Sequence, residues 1–269
     1  MKFSKSIAAV AAAGFMTLCG AVSLAARTDE DTVTRSVAVS AFDRIDAEGV
    51  NVVVNIGPAT GTMTVTGRAD AVDALVSDVR KGELSLRNRL LDKISDKGGR
   101  RNGRKDLPTV TVSVPSLTSV EGSLASKITV DKAISASKFE AEVETAASIS
   151  IPGLSVPGKV ELKSETAGSI VIESVDAATF EAEVETAGSV HIARLESQSA
   201  KIEAETAGKF KADAGKLAYA DLDADTAGNI SMKGVKAQTG SAKADTGGNI
   251  KATIVQGSKS TDTGGHVSI

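Results

Sequence analysis

A six-residue phrase recurs seven times in this chain, and its spacing limits the possible folds more than any other feature. It reads carboxylate, Thr, Ala or Gly, Gly, polar residue, aliphatic residue, as in Glu165-Thr166-Ala167-Gly168-Ser169-Ile170 and Asp225-Thr226-Ala227-Gly228-Asn229-Ile230. The first copy, Glu144 to Ile149, carries Ala147 at the glycine position, and the last runs from Asp262 to Val267. The threonines Thr145, Thr166, Thr186, Thr206, Thr226, Thr246 and Thr263 step by 21, 20, 20, 20, 20 and 17 residues. Self-similarity at a fixed period of this size marks a solenoid.

The residues around the phrase select the kind of solenoid. Before Thr186, Phe180, Ala182 and Val184 share one parity while Glu181, Glu183 and Glu185 take the other, and the neighbouring repeats alternate in the same way. A period of two describes strands with one buried face, and helices do not alternate like this. A second short strand follows each glycine, with Ile170 and Ile172 or Val190 and Ile192 facing in, and a third segment around Val175 or Leu195 returns the chain. About twenty residues with two or three short strands make one coil of a parallel β-helix. The fold class is therefore all-β, with about eight coils. The glycine is expected to supply a left-handed bend between two sheets. The threonine is expected to point inward, its hydroxyl stacked on the next one about 4.8 Å away.

Composition agrees with a narrow bore: the chain has six Phe, one Tyr and no Trp, so Ala, Val, Ile, Gly and Ser do the filling. Lys2 and Lys5 precede the apolar run Ile7 to Leu18 and the small residues Ser23-Leu24-Ala25, a pattern read as a signal peptide over 1–25. Cys19, the only cysteine, lies in that segment, so the remaining chain forms no disulfide of its own. Residues 26–41 are polar and read as a flexible lead-in, 42–119 as an N-terminal β segment, and 120–269 as the β-helix repeats, with Leu117 to Val130 their first, degenerate coil. Within 42–119, residues 87–106 hold eight Lys or Arg against three Asp, with three glycines, and read as an exposed basic loop. The stack shows no separate cap at Ile269, leaving a sheet edge as a candidate contact between copies.

The chain resembles the bacterial envelope family named for an auto-transporter adhesin head, the GIN domain. The resemblance is carried by Phe42-Asp43-Arg44-Ile45-Asp46-Ala47-Glu48-Gly49 leading into Val50 to Gly57, by Val79-Arg80-Lys81-Gly82-Glu83-Leu84-Ser85-Leu86, and by Val112-Ser113-Val114-Pro115-Ser116-Leu117. The corners Gly228-Asn229-Ile230 and Gly248-Asn249-Ile250 add to it. It spans roughly Phe42 to Ile269 and implies a right-handed, single-stranded parallel β-helix similar to pectin-lyase-like folds. It also implies no recognised catalytic residue and an adhesive or envelope role. This sequence departs from the family in its regular Glu/Asp-Thr-Ala-Gly run and its basic insertion.

Few residues offer chemistry. The carboxylates before each bend, among them Glu165, Glu185, Glu205, Asp225 and Asp245, form a ladder that reads either as a Ca²⁺-binding face, since hard cations take several carboxylate oxygens, or as a solvated face that keeps molecules apart. No other cofactor is implied. Arg100, Arg101, Arg104 and Lys105 of the basic loop read either as a contact for an anionic envelope polymer or as a solvated insertion. His191 and His266 fall on outward parity, no serine sits in a nucleophile elbow, and no phosphate loop occurs. A net charge of −3 argues against a nucleic-acid partner. The reading is an exported, non-enzymatic, adhesin-like or structural envelope module, periplasmic, cell-surface or extracellular, whose partner is an envelope polymer, glycan or protein surface. The alternative is a β-helical protein that binds or acts on polysaccharide.

Overall fold

The computed structural model describes residues 32–90 and 107–269. The N-terminal part contains β1 (Thr32–Ala38), β2 (Arg44–Glu48), β3 (Asn51–Ile56), β4 (Thr62–Arg68), helix α1 (Ala69–Asp73), β5 (Leu75–Arg80), β6 (Glu83–Asn88) and β7 (Thr109–Val114). The coils continue with β8 (Ser119–Ser123), β9 (Lys127–Val130), β10 (Ile134–Ser135), β11 (Phe139–Val143), β12 (Ser148–Ile151) and β13 (Leu154–Ser164). Five long strands and a short one follow: β14 (Ser169–Val184), β15 (Ser189–Ala204), β16 (Lys209–Ala224), β17 (Asn229–Ala244), β18 (Asn249–Thr261) and β19 (His266–Ser268).

Stacking these strands in parallel produces three sheets around one core. The first sheet contains β6, β2, β8, β11 and the later halves of β13 to β18. The second contains β7, β3, β9, β12, the opening residues of β14 to β18, and β19. The third is made by β10 and the segments that return the chain, such as Leu154–Val156 on Val175–Ala177. From β8 onward the chain lays down about eight coils, the last incomplete. The step of 21 residues comes from an irregularity at Pro157 and Gly158, and the step of 17 from a shortened corner after Ala252.

Register puts like on like inside. Ile128, Ile149, Ile170, Val190, Phe210, Ile230, Ile250 and Val267 form one column, each at most 8% exposed. Where a large side chain enters, a small one sits beside it: Phe180 lies between Val160 and Ala200, and its ring meets Phe210 at 6.0 Å, tilted by 56°. This alternation of large and small fills the bore without aromatic bulk.

The amino end departs from the sequence expectation in two ways. Leu117 to Val130 does not open the stack, because β2 and β3 lie beneath β8 and β9, and β6 and β7 lie beneath them. The lead-in is also ordered in part: β1 pairs antiparallel with β4, which pairs antiparallel with β7, while β5 pairs antiparallel with β6. These antiparallel strands cover the outer edges that the lowest coil would otherwise present. Alternation in Thr32 to Ala38 was the available signal, since Val33, Arg35 and Val37 are partly buried while their neighbours are exposed.

Candidate functional site

The recurring phrase builds the corner between the first and second sheets, by a different device from the one its glycine suggests. Thr and the following Ala hold positive φ in successive coils, 45° and 62° at Thr186 and Ala187, 46° and 65° at Thr206 and Ala207. The next glycine donates its N–H to the carboxylate residue's carbonyl, as Gly188 does to Glu185 at 2.7 Å. Two central residues at positive φ closed by such a bond have the character of a type I′ turn, which favours Asn-Gly and is sterically costly for Thr. Links between corners offset that cost: Ala146 donates to Thr166, Ala167 to Thr186, Ala187 to Thr206, Ala207 to Thr226 and Ala227 to Thr246, at 3.0 or 3.1 Å.

Two expectations are corrected here. The recurring threonines are exposed at the turn and form no interior pillar. Gly168, Gly188, Gly208, Gly228 and Gly248 are not left-handed; they are glycines because the coil beneath comes too close for a side chain. A Cβ on Gly208 would stand 2.0 Å from the Val184 carbonyl oxygen, and one on Gly228 1.9 Å from that of Ala204. The first copy differs in carrying Ala147 at this position, buried and above Gly122. The left-handed positions are thus occupied by the wrong residues for minimal strain, and the last two copies carry Gly247 and Gly264 there instead. Ala187→Gly is expected to stabilise the chain by about 0.5–1 kcal/mol in urea unfolding, and a loss of stability would contradict this account of the corner.

The corners and the first sheet together carry three parallel columns of charge. The turn column is Glu144, Glu165, Glu185, Glu205, Asp225, Asp245 and Asp262, tied coil to coil by bonds such as Glu185 N–H to the Ser164 carbonyl at 2.9 Å. The next reads Asp46, Glu121, Glu142, Lys163, Glu183, Glu203, Asp223, Lys243. The outer one reads Glu83, Arg44, Ser119, Glu140, Glu161, Glu181, Lys201, Asp221. The columns hold seven, six and five carboxylates, over half of the chain's 34, so charge is strongly segregated to this side. The lysines are fully engaged: Lys163 with Glu165 at 2.6 Å, Lys243 with Asp245 at 2.6 Å, Lys201 with Glu203 at 2.7 Å, and Lys159 with Glu161 and Glu181 at 2.8 and 2.7 Å.

Where partly buried carboxyls crowd together on this side, they ionise less readily than usual. Partial burial first, then repulsion from Asp46, Glu142, Glu144 and Glu83, pushes Glu121 up to about 7, and burial also raises Asp46, Glu142 and Asp223. Glu183 is raised chiefly by its hydrogen bond to Glu185. A group with a folded pKa above its unfolded one keeps a proton that unfolding releases, so its ionisation weakens the fold as pH rises from 4.5 towards 7. Glu121→Gln is expected to stabilise the chain by about 1 kcal/mol near pH 8, allowing for solvent screening, and to change the melting temperature little near pH 4. An equal effect at both values would show that the charge is not the cause.

The five carboxylates singled out in the sequence, Glu165, Glu185, Glu205, Asp225 and Asp245, are therefore neighbours in one column. They do not converge: among the described residues no group of three or more His, Cys, Asp or Glu is placed to hold a metal ion. Asp225 instead accepts the Thr226 N–H at 2.6 Å, and Asp262 accepts that of Thr263 at 2.8 Å, which holds their turns. Arg100, Arg101, Arg104 and Lys105 lie outside the described residues. On the second sheet His191 Nε2 meets Asp213 Oδ2 at 2.7 Å and Lys211 meets Asp213 Oδ1 at 2.6 Å, which holds the Asp213 carboxyl below its ordinary range. No local pattern signals the His191–Asp213 pair, because its members sit 22 residues apart and only coil register joins them.

Between the two sheet columns run grooves of about 330 Å³ and 150 Å³ that share Lys201 and Glu203, lined mainly by charged residues and serines. No helix among the described residues is long and apolar enough to cross a membrane.

Comparison with known proteins follows the same lines. Three solved structures share the fold at low identity. A "putative adhesin" of Parabacteroides distasonis is 14% identical with a TM-score of 0.68, over 89% of this chain and 98% of that one. A "putative lipid binding protein" of the same species is 15% identical with a TM-score of 0.60, over the same shares. A "putative adhesin" of Bacteroides fragilis is 17% identical with a TM-score of 0.54, over 87% of this chain and 95% of that one. A search of curated proteins returns no match. The family model described as "Putative auto-transporter adhesin, head GIN domain" matches twice, over residues 41–158 and 154–268, so that the chain belongs to the family of adhesin-like head GIN domains.

Proposed function

We propose that this chain is an exported, non-enzymatic interaction module of the cell envelope, a stiff adhesin-like rod that presents one repetitive charged side to its surroundings. The observation that carries the proposal is the side itself: three in-register columns of acidic residues, spaced by about 4.8 Å per coil, with backbone hydrogen bonds fixing every rung. Such an array suits many weak contacts made at once, and multivalency converts those into firm attachment. Membership of an adhesin-like family and the signal-peptide pattern of residues 1–25 support an envelope location. The spread of carboxylates along a ladder, with no acid and base set apart from the rest, supports a binding role over a catalytic one.

Fractionation of cells producing the protein, followed by co-sedimentation of purified protein with isolated envelopes, tests this. Exported protein that sediments with envelopes is the expected result; cytoplasmic protein, or none retained, would defeat the proposal. Incubation with acidic polysaccharides is expected to leave their chain length unchanged, and depolymerisation would replace this reading with an enzymatic one.

A further inference from the structure

The charge left over by the acidic side gathers at the opposite corner of the rod. Lys209 and Lys251 stand on the second sheet and Lys216 and Lys236 on the third, with Lys233 at the corner between these two sheets. Lys216 and Lys236 are stacked register partners, and Lys209 stacks on Asn229 in the adjacent column to Lys211, Ser231 and Lys251. All but the half-buried Lys251 are exposed, and none of the five has an ion-pair partner among the described residues. Lys211, beside them, is already held by Asp213. In a three-sided rod the corner between the second and third sheets faces away from the first sheet. One side of the molecule is therefore acidic, and the edge opposite it is basic over the coils of β16 to β18, where Lys216 and Lys236 follow Asp176 and Glu196 in one register column.

We infer that this basic edge docks against the acidic first sheet of a second copy, so that rods associate side by side. The occupant is identified by charge and by period together. Among the described residues Glu140, Glu142, Glu144, Glu183, Glu185 and Glu205 have no basic partner at ion-pair distance, so the acidic side has free charge to meet the lysines. Both surfaces are built on the same coil repeat, so over the coils that carry the lysines their charges match in spacing, which an unrelated partner would have to match by coincidence. One exposed ion pair contributes under about 1 kcal/mol, but a row of them acting together accumulates. The contact is heterologous, a different patch on each copy, and it extends into rows without closing into a ring. This inference concerns how copies meet and does not depend on where the protein resides.

Sedimentation velocity on the full chain tests it. Species larger than a monomer are expected in about 20 mM NaCl and should dissociate by about 300 mM, with apparent association falling roughly tenfold or more, because exposed charge pairs are screened over that range. The variant carrying Lys216→Glu, Lys233→Glu and Lys236→Glu should stay monomeric in low salt while keeping the parent's circular dichroism and melting temperature. Mixing it with a variant carrying Glu181→Lys, Glu183→Lys and Glu185→Lys should restore mixed complexes. A monomeric parent in low salt would overturn the inference, and so would association that survives the lysine reversal. A monomeric parent retained on anionic vesicles through these lysines would likewise overturn it, in favour of a membrane partner.

Discussion

Gly208→Ala is expected to destabilise the chain by about 3 kcal/mol or more. The new Cβ would be placed 2.0 Å from the Val184 carbonyl oxygen and 2.7 Å from its carbon. Neither atom can retreat, because the Val184 carbonyl accepts the Glu205 N–H at 2.9 Å and the same corner is closed by Gly208 N–H to Glu205 at 2.7 Å. Relief requires the two coils to part, which breaks ladder bonds on both sides of the bend. Urea unfolding with parallel measurement of Ala207→Gly is the informative design. The neighbouring substitutions should shift the midpoint in opposite directions, and a mild effect of Gly208→Ala would show that the glycine is there for backbone freedom after all.

Phe180→Ala should cost about 3–5 kcal/mol. The ring is fully buried between Val160 and Ala200 and packs on Phe210, and its removal leaves a void that the small residues around it cannot fill. In a solenoid each coil touches only its neighbours, so the weakness stays local. Hydrogen exchange should therefore speed up in β13 to β16 while the amide groups of β2, β3 and β7 remain protected. Uniform acceleration along the whole chain would show that the stack opens as one unit.

These two expectations also mark what was legible in the letters. Period and parity placed Phe180, Ala182 and Val184 inside and Glu181, Glu183 and Glu185 outside, because inward and outward positions alternate along any half-buried strand. The coil register of the acidic columns followed from the twenty-residue step alone. The corner was misread at both of its central features. A Thr-Ala-Gly string suggests glycine at the strained position, yet the strain falls on Thr and Ala while the glycine answers a steric demand made by the previous coil. That demand comes from a residue some twenty-four positions earlier, and no local rule contains it. The amino end was obscured for a related reason: β6 and β7 lie beneath β2 and β3 although they follow them in the chain, and linear order gives no hint of such an inversion.

That inversion has a consequence for how the molecule is made. The coil of β2 and β3 is sandwiched, with β6 and β7 on one side and β8 and β9 on the other, and the antiparallel strands seal the far side of β6 and β7. A polypeptide delivered amino end first therefore finishes its stopper before any regular rung arrives. Each later rung then meets a ready template and needs only to zip onto it, so construction advances in one direction, with short-range closure at every step.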